Sequence, residues 1–334
     1  MRVLITGITG FVGSHMADYL LNNVGDVKIF ATKRWRSKED NIKHLFGDDR
    51  VIFEECDLLD RGSIARSINI AKPDIVYHFA AQSFPGSSFL TPISTINTNI
   101  IGTVNLLDEL KLAKDRELCN PTIISVSSSE VYGMPESGDD IPIKETNPIR
   151  AANPYSISKV GHDLMSQYYH KAFDMKVIIT RMFSHEGKRR GKRFALSFFA
   201  NQIVQAELGL KDYNIHHGNL DSIRTYSHIE DAVHAYWLAV NNCDYGEVYN
   251  IGGDDTRSIG EVLDLLISKS SISNKLIKFS DEYLYRPTDI TLQIPDSTKF
   301  REKTGWKPTK GLEEICDDLL EFWRSHKDFW RDPT

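Results

Sequence analysis

The chain has 334 residues, enough for one large domain or two linked domains with a full hydrophobic core. Its net charge of −6 argues against non-specific binding to nucleic acid, although a local basic pocket for phosphate is compatible with it. The four cysteines are scattered, without a C-x-x-C pair or a His/Cys cluster spaced for a metal, so we expect free thiols and no metal site. The chain starts directly on a strand-like run and contains no apolar run of membrane-spanning length. We therefore expect a cytoplasmic protein without a membrane partner.

The N-terminal segment predicts a dinucleotide-binding turn. Residues 2–6 are typical of a short buried strand, and SHMADYLL, from residue 14, is typical of an amphipathic helix. Between them lies GITGFVG, with Gly7, Gly10 and Gly13. Glycines let the backbone approach a pyrophosphate, and the helix N-terminus supplies N–H groups and the positive end of a dipole. A tight turn without a ligand is the alternative, and the strand–turn–helix context argues against it.

The second predicted strand, residues 27–32, ends in the basic segment KRWRSK. An acid at this place usually binds the ribose 2′-hydroxyl of NAD. Cations here, among them Arg34 and Arg36, suit a 2′-phosphate instead, so the sequence favours NADP. The alternative is a solvated basic loop, because runs of charge usually face water.

Strands and helices alternate along the first half of the chain. Further strand-like runs begin near residues 51, 75, 121 and 176, and helical patterns lie between them. This alternation predicts an α/β fold with a doubly wound parallel (Rossmann) sheet. After residue 182 the pattern changes to small strands and helices. We expect an NADP-binding domain over 1–182 and a smaller α/β substrate-binding domain mainly over 183–330, with some segments returning to the first domain.

A proton-transfer pair is predicted in NPYSISK. Tyr155 and Lys159 lie four residues apart, on one face of a helix, where the ammonium can lower the pKa of the phenol. The strand before this helix ends in SSSE, which contains Ser128 and Glu130. Ligands bind at the C-terminal edge of such sheets, where all these groups would meet. Ser128 would then hold a substrate oxygen, Tyr155 would transfer its proton and a nicotinamide would carry hydride. The alternative for the pair is an ordinary helix surface.

These motifs, in this order, resemble the extended short-chain dehydrogenase/reductase family over nearly the whole chain. The matching stretches are TGITGFVG (6–13), HFAAQS (78–83), SSSEVYG (127–133), YSISK (155–159) and RPTD (286–289). Within the family, four further stretches resemble the GDP-mannose 4,6-dehydratase branch. They are KRWRS, AAQSFPGSSF (80–89), FSHEGKRRG (183–191) and LGLKDYNIHHGNLDSIRTYSH (208–228).

The resemblance implies a redox-neutral dehydration of a GDP-linked sugar. Tyr155 removes the proton of the C4 hydroxyl while hydride passes from C4 to NADP. Glu130 then removes the C5 proton, and the C6 hydroxyl leaves as water with the help of Glu130 and Ser128. Hydride returns to C6 and a proton to C5, which gives a 4-keto-6-deoxy sugar. The reaction needs a carboxylate near C5 and a hydroxyl near O4. Glu130 offers the carboxylate and Ser128 the hydroxyl, one strand repeat apart.

The resemblance also implies binding residues. The implied cofactor contacts are Gly7, Thr9, Gly10, Phe11, Val12, Gly13, Arg34, Arg36, Asp57, Leu58, Ala80, Ala81, Tyr155, Lys159, His185 and Arg190. The implied substrate contacts are Gln82, Ser83, Ser128, Glu130, Ser184, Arg193, Asn219, Arg224 and Arg286. In that branch the arginine loop with Arg189 and Arg190 can reach the cofactor of a neighbouring subunit, which implies a homodimer or homotetramer.

The chain departs from the branch near the sugar and the base. Ser184 stands where the branch usually has Asn, Ser128 where it usually has Thr, and Phe198 where it usually has Lys. A heptose or an N-acetylated sugar therefore stays open as the substrate. The open alternatives for the function are a GDP-4-keto-sugar reductase or a nucleotide-sugar 4-epimerase, since related sequences can carry an acid at the position of Glu130. A non-catalytic NADP-binding sensor is a more remote alternative.

Overall fold

The computed structural model describes residues 1–326, so the last residues of the expected second domain, 327–330, lie outside the described range. The strands of this range are β1 (Arg2–Thr6), β2 (Lys28–Lys33), β3 (Val51–Glu55), β4 (Ile75–His78), β5 (Thr122–Val126), β6 (Val177–Met182), β7 (His185–Glu186), β8 (Asn214–His217), β9 (Ile223–His228), β10 (Val248–Ile251), β11 (Asp255–Ser258), β12 (Ile277–Ser280) and β13 (Leu292–Gln293). Its α-helices are α1 (Phe11–Asn23), α2 (Arg61–Ala71), α3 (Pro85–Leu90), α4 (Pro92–Ile96), α5 (Gly102–Asp115), α6 (Pro154–Phe173), α7 (Ala195–Glu207), α8 (Ile229–Asn242), α9 (Ile259–Ser268), α10 (Thr298–Thr304) and α11 (Leu312–Ser325).

The largest sheet of the described residues has the strand order β10-β6-β5-β4-β1-β2-β3, with all pairs parallel. The order reverses next to β1, so the crevice beside the first turn lies at the switch point where such sheets bind ligands. β1 and β4 are buried along nearly their whole length, because helices cover both faces. The doubly wound parallel sheet predicted from the sequence is confirmed.

Helices pack on both faces of this sheet. On one face, α1 packs against α8 around buried apolar side chains such as Met16 and Tyr236. On the other, α5 packs against α2 and α6 around Leu106 and Tyr169. These apolar faces fix the direction of each helix, and so they fix which helix ends reach the C-terminal edge of the sheet.

The helical segment between β4 and β5 is continuous from α4 to α5 but irregular. A π-helical turn, Asn97–Ile101, joins α4 to α5. Its Asn99 is buried, accepts a hydrogen bond from the Gln82 backbone N–H at 2.8 Å, and donates to the Ser158 hydroxyl at 2.8 Å. The extra residue in the turn thus lets one side chain tie the loop after β4 to α6, and π turns of this kind are frequent at functional sites.

The second half of the chain builds a separate apolar core from α7, α9 and α11, which includes Phe199, Leu263 and Trp323. Its small sheet centres on β9, which pairs with β7, β11 and β13. β10 and α8 also follow residue 182, but they belong to the large sheet and its helix layer. No helix within residues 1–326 combines the length and apolar character needed to cross a membrane.

Candidate active site

A cavity of about 1280 Å³ lies along the C-terminal edge of the large sheet. The cofactor and substrate contacts implied by the resemblance all line this cavity, except Arg36, and Arg189 of the arginine loop also lies outside the lining. The parallel topology explains this convergence, because strand ends far apart in the chain meet at one edge. No three His, Cys, Asp or Glu side chains among residues 1–326 lie close enough together to hold a metal ion.

The dinucleotide turn has steric reasons for its glycines. Gly7 has a φ of +73°, and a Cβ there would lie 2.8 Å from the backbone of Ala80. A Cβ at Gly13 would lie 2.5 Å from the Gly7 carbonyl oxygen. Helix α1 begins at Phe11, directly after the turn, so its free N–H groups face the cavity. A pyrophosphate fits this cradle of close backbone and helix N-terminus.

Some residues of the basic segment after β2 face the cavity and others face away from it. Lys33, Arg34 and Ser37 line the cavity, and Lys33 is paired with Glu39 at 2.8 Å. Arg36 lies outside the lining and stacks on the ring of Trp35, 4.4 Å from its centroid. A 2′-phosphate therefore fits the side with Arg34. Ser37 escaped the sequence prediction, since only cations were considered there.

Tyr155 and Lys159 lie on the first turns of α6, which begins at Pro154 after an Asn153 cap. Both side chains are buried at the cavity wall. The Lys159 ammonium donates to the Val126 carbonyl oxygen at 2.7 Å, which anchors it to the end of β5. Helix and sheet together thus hold the pair in one position.

The electrostatics of the pair differ from the sequence expectation. Burial raises the pKa of Tyr155 to about 12, opposed by its hydrogen bond with Ser128 and by the charge of Arg190. Burial lowers the pKa of Lys159 to about 8. The expected lowering of the phenol pKa by Lys159 was therefore wrong for this structure. Desolvation of the phenolate outweighs the stabilisation of that phenolate by Ser128 and Arg190. The helical spacing of the two residues gives no information on how deeply the phenol is buried.

Ser128 and Glu130 lie at the end of β5, but not on a continued strand. Ser128 caps the 3₁₀ turn Ser129–Tyr132, and its hydroxyl accepts from the Glu130 backbone N–H at 3.2 Å. The turn, rather than strand alternation, brings both side chains to the cavity. The Asn153 side chain donates to a Glu130 carboxylate oxygen at 3.1 Å. Asn153 therefore orients the acid, and this contact between distant segments could not be predicted from local sequence patterns.

Two arginines, Arg224 and Arg286, line the part of the cavity formed by the second half of the chain. Arg224 donates through its guanidinium to the carbonyl oxygens of Ile223, at 2.9 Å, and Ile290. Burial lowers its pKa, and the carboxylates of Glu130 and Asp289 oppose this. Arg286 lines the same part of the cavity. One half-buried and one exposed guanidinium group beside the same cavity fit a diphosphate, which accepts forked hydrogen bonds.

The two neighbouring arginines of the loop after β7 point in different directions. Arg190 lines the cavity, whereas Arg189 turns away and pairs with Asp18 of α1 at 2.7 Å. His185 stacks on Phe11 with their ring centroids 5.8 Å apart. Ser184, the position of a departure from the expected pattern, lines the cavity beside His185.

A parallel sheet with a glycine turn, and with Ser128, Tyr155 and Lys159 at its C-terminal edge, defines an extended short-chain dehydrogenase/reductase. The model of the GDP-mannose 4,6 dehydratase family matches residues 4–319, and the chain belongs to that family. The resemblance drawn from the motifs is thereby confirmed.

Relatives match along nearly their whole length. The GDP-mannose 4,6-dehydratase of Yersinia enterocolitica is 26% identical over 353 residues, covering 96% of this chain and 92% of that protein. The GDP-mannose 4,6 dehydratase of Homo sapiens is 29% identical over 342 residues, covering 95% of this chain and 90% of that protein. Among solved structures, RMD from Pseudomonas aeruginosa complexed with NADPH is 25% identical, with a TM-score of 0.81 and coverage of 98% of this chain and 100% of that one.

Proposed function

We propose that this protein is an NADP-dependent 4,6-dehydratase that converts a GDP-linked hexose, or a related GDP-sugar, to its 4-keto-6-deoxy form. The observation that carries this proposal is the acid beside the dehydrogenase groups. Glu130 lines the same cavity as Ser128, Tyr155 and Lys159, and Asn153 holds its carboxylate. A simple oxidation or reduction at C4 needs a hydroxyl and a phenol, while elimination also needs a base for C5. Membership of the dehydratase family supports the same reaction.

The residues at the first turn fit NADP. The glycine cradle and the N-terminus of α1 would hold the pyrophosphate, and Arg34 with Ser37 would hold the 2′-phosphate. When bound, NADP accepts hydride from C4 and returns it to C6, so the reaction has no net redox change. The Lys159 ammonium, fixed to the Val126 carbonyl, also faces this part of the cavity.

The chain's own groups would move the protons. In its phenolate form Tyr155 takes the proton of the C4 hydroxyl, while the Ser128 hydroxyl holds the oxygen that becomes a ketone. The ketone acidifies the C5 proton, which the Glu130 carboxylate removes and passes to the departing C6 hydroxyl. A proton then returns to C5. The two protons removed, from O4 and C5, are balanced by one on the released water and one at C5.

Arg224 and Arg286 would hold the diphosphate and so place the sugar against Tyr155 and Glu130. The remaining predicted substrate contacts, Gln82, Ser83, Ser184, Arg193 and Asn219, lie around the same space. The division into a cofactor domain (1–182) and a substrate domain (from 183) also stays a proposal, supported by the separate core of the second half.

The direct test is mass spectrometry of a panel of nucleotide sugars incubated with the purified protein and no added cofactor. GDP-mannose, or another GDP-sugar, should yield a product lighter by one water. A reductase would instead consume NADPH stoichiometrically, and an epimerase would leave the mass unchanged. No change with any GDP-sugar would reject the proposal.

Selection of NADP gives a paired prediction. Arg34→Ala should weaken binding of NADP roughly ten- to a hundredfold and leave NAD binding unchanged, because the lost hydrogen bond is charge-assisted. Arg36→Ala should bind NADP like the wild type, since Arg36 stacks on Trp35 outside the cavity. Titration of both cofactors into the three proteins measures this. Equal losses in both variants would show that the loop acts only through its net charge.

We also propose a homodimer or homotetramer. The outer face of α6 exposes Ile157, Leu164 and Tyr168, each 51% exposed, at helical spacing along one side. The neighbouring α4 adds Ile93, which is 70% exposed. Apolar side chains exposed along one side of α6 and on the adjacent α4 suit burial against a second copy of the chain.

Light scattering after gel filtration tests the oligomer. Leu164→Glu should shift the protein towards monomer, because it puts a charge among these apolar side chains. Leu210→Glu, which changes an exposed leucine (61%) in the segment after α7, is the control and should leave the mass unchanged. A wild type that is monomeric at micromolar concentration would contradict the proposal.

A cytoplasmic location is proposed as well. It is supported by the state of the cysteines, since Cys56, Cys119, Cys243 and Cys316 are all free thiols.

A further inference from the structure

The loop between β7 and α7, residues 187–194, is anchored to the second half of the chain. At its start, β7 pairs with β9. In its middle, the Arg190 carbonyl oxygen accepts a hydrogen bond at 2.7 Å from the hydroxyl of the buried Ser197 of α7. In turn, the Trp323 indole donates to Ser197 at 3.2 Å. The backbone of the loop is therefore fixed to the second half of the chain at its start and in its middle, and its side chains make further contacts.

Several of those contacts go to the first half of the chain, while Lys188 pairs with Glu230 of α8 at 3.9 Å. Arg189 pairs with Asp18 of α1 at 2.7 Å, with the two side chains 17% and 24% exposed. The Arg190 guanidinium lies 4.9 Å from the ring centroid of Phe11 and 3.6 Å from that of Phe194. Phe194 meets Phe84 edge to face, with centroids 5.5 Å apart. The loop thus runs from α1, across the dinucleotide turn, to the segment after β4.

This path crosses the part of the cavity that fits the cofactor. Phe11 is the first residue of α1, at the proposed pyrophosphate site, and Phe84 follows the loop at the end of β4. Arg190 is additionally paired with the buried Glu186 at 3.3 Å. Phe11, Phe84, Arg190 and Phe194 all line the cavity, so these contacts border the space in which a cofactor on the turn would lie.

We propose that residues 187–194 form a clasp that retains the cofactor, with Asp18 and Phe194 as its positioning residues. The inference rests on the proposed function, in which the cofactor must stay in place between giving and receiving hydride. Loss of NADPH halfway would strand an oxidised sugar. A clasp closed by one partly buried ion pair and two ring contacts slows release without touching the reacting atoms.

Cofactor exchange tests the clasp without any sugar substrate. The protein is loaded with NADP, excess isotopically labelled NADP is added, and the bound fraction is followed by mass spectrometry. Asp18→Asn and Phe194→Ala should each speed exchange about tenfold. The first variant removes the ion pair with Arg189, and the second removes the ring contact with Phe84. Phe194→Tyr keeps the ring and should retain slow exchange.

Two controls isolate the effect. Asp49→Asn makes the same charge change at an exposed site and should exchange like the wild type. His44→Ala removes the other partner of Asp18, at 2.6 Å, and should also exchange slowly. Exchange within twofold of the wild type in both Asp18→Asn and Phe194→Ala would overturn the clasp, and so would equal acceleration in His44→Ala. Slow, clasp-dependent exchange without dehydration of any GDP-sugar would reject the proposed reaction and keep the clasp.

Discussion

Glu130→Gln is expected to stop the loss of water while C4 oxidation continues. The variant keeps the shape of the side chain, and its amide oxygen can still accept from Asn153, which donates to the carboxylate at 3.1 Å. It removes the base for the C5 proton, and a positioned general base contributes roughly 10²- to 10⁴-fold. Dehydration should therefore fall by about that factor, while the absorbance of reduced nicotinamide appears when GDP-sugar is added.

Glu136→Gln is the matched control for this experiment. Glu136 is 72% exposed and pairs with Arg150 outside the cavity, so its change should leave dehydration untouched. A Glu130→Gln protein that dehydrates at the wild-type rate would remove Glu130 from the mechanism. One that no longer reduces the cofactor would make Glu130 part of the oxidation step instead.

Lys159→Met is expected to abolish turnover and yet stabilise the fold at neutral pH. Burial lowers the pKa of Lys159 to about 8, from an ordinary value of 10.5. At pH 7 the buried charge therefore costs the folded state about 3 kcal/mol. Loss of the hydrogen bond to Val126 offsets about 1 kcal/mol of the gain. A melting temperature a few degrees higher should accompany the loss of activity.

The pH dependence has a definite sign. Between pH 8 and 10.5 the unfolded chain binds the Lys159 proton and the folded chain does not, so this group makes the wild type more stable as pH rises. The advantage of Lys159→Met should accordingly shrink across that window. Thermal unfolding at several pH values measures it, with Lys171→Met on the exposed side of α6 as the control. A melting temperature below that of the wild type at pH 7 would contradict the cost assigned to the buried ammonium.

The parts of the fold that the sequence predicts are those set by local patterns. Strand and helix periods, the glycines of the first turn and the Asn153-Pro154 start of α6 depend on neighbours in the chain. Parallel topology then brings the strand ends to one edge. For this reason the cavity gathers Ser128, Glu130, Tyr155 and Arg224 from distant segments.

The parts that could not be predicted depend on packing and on side-chain direction. Arg34 and Arg36 are two residues apart and chemically equal, yet only Arg34 faces the cavity. Likewise only Arg190 of the pair Arg189 and Arg190 faces the cavity, because Arg189 forms an ion pair with Asp18 of α1. The raised pKa of Tyr155 follows from the degree of burial.

The most direct test of the proposed reaction follows one hydrogen. GDP-mannose carrying deuterium at C4 is incubated with the protein and unlabelled NADP, and the product is analysed by mass spectrometry and by NMR. If hydride is borrowed and returned within one active site, the product has lost one water and carries the deuterium at C6. A dehydrated product without deuterium, or an undehydrated product with deuterium in the released NADPH, would contradict the account.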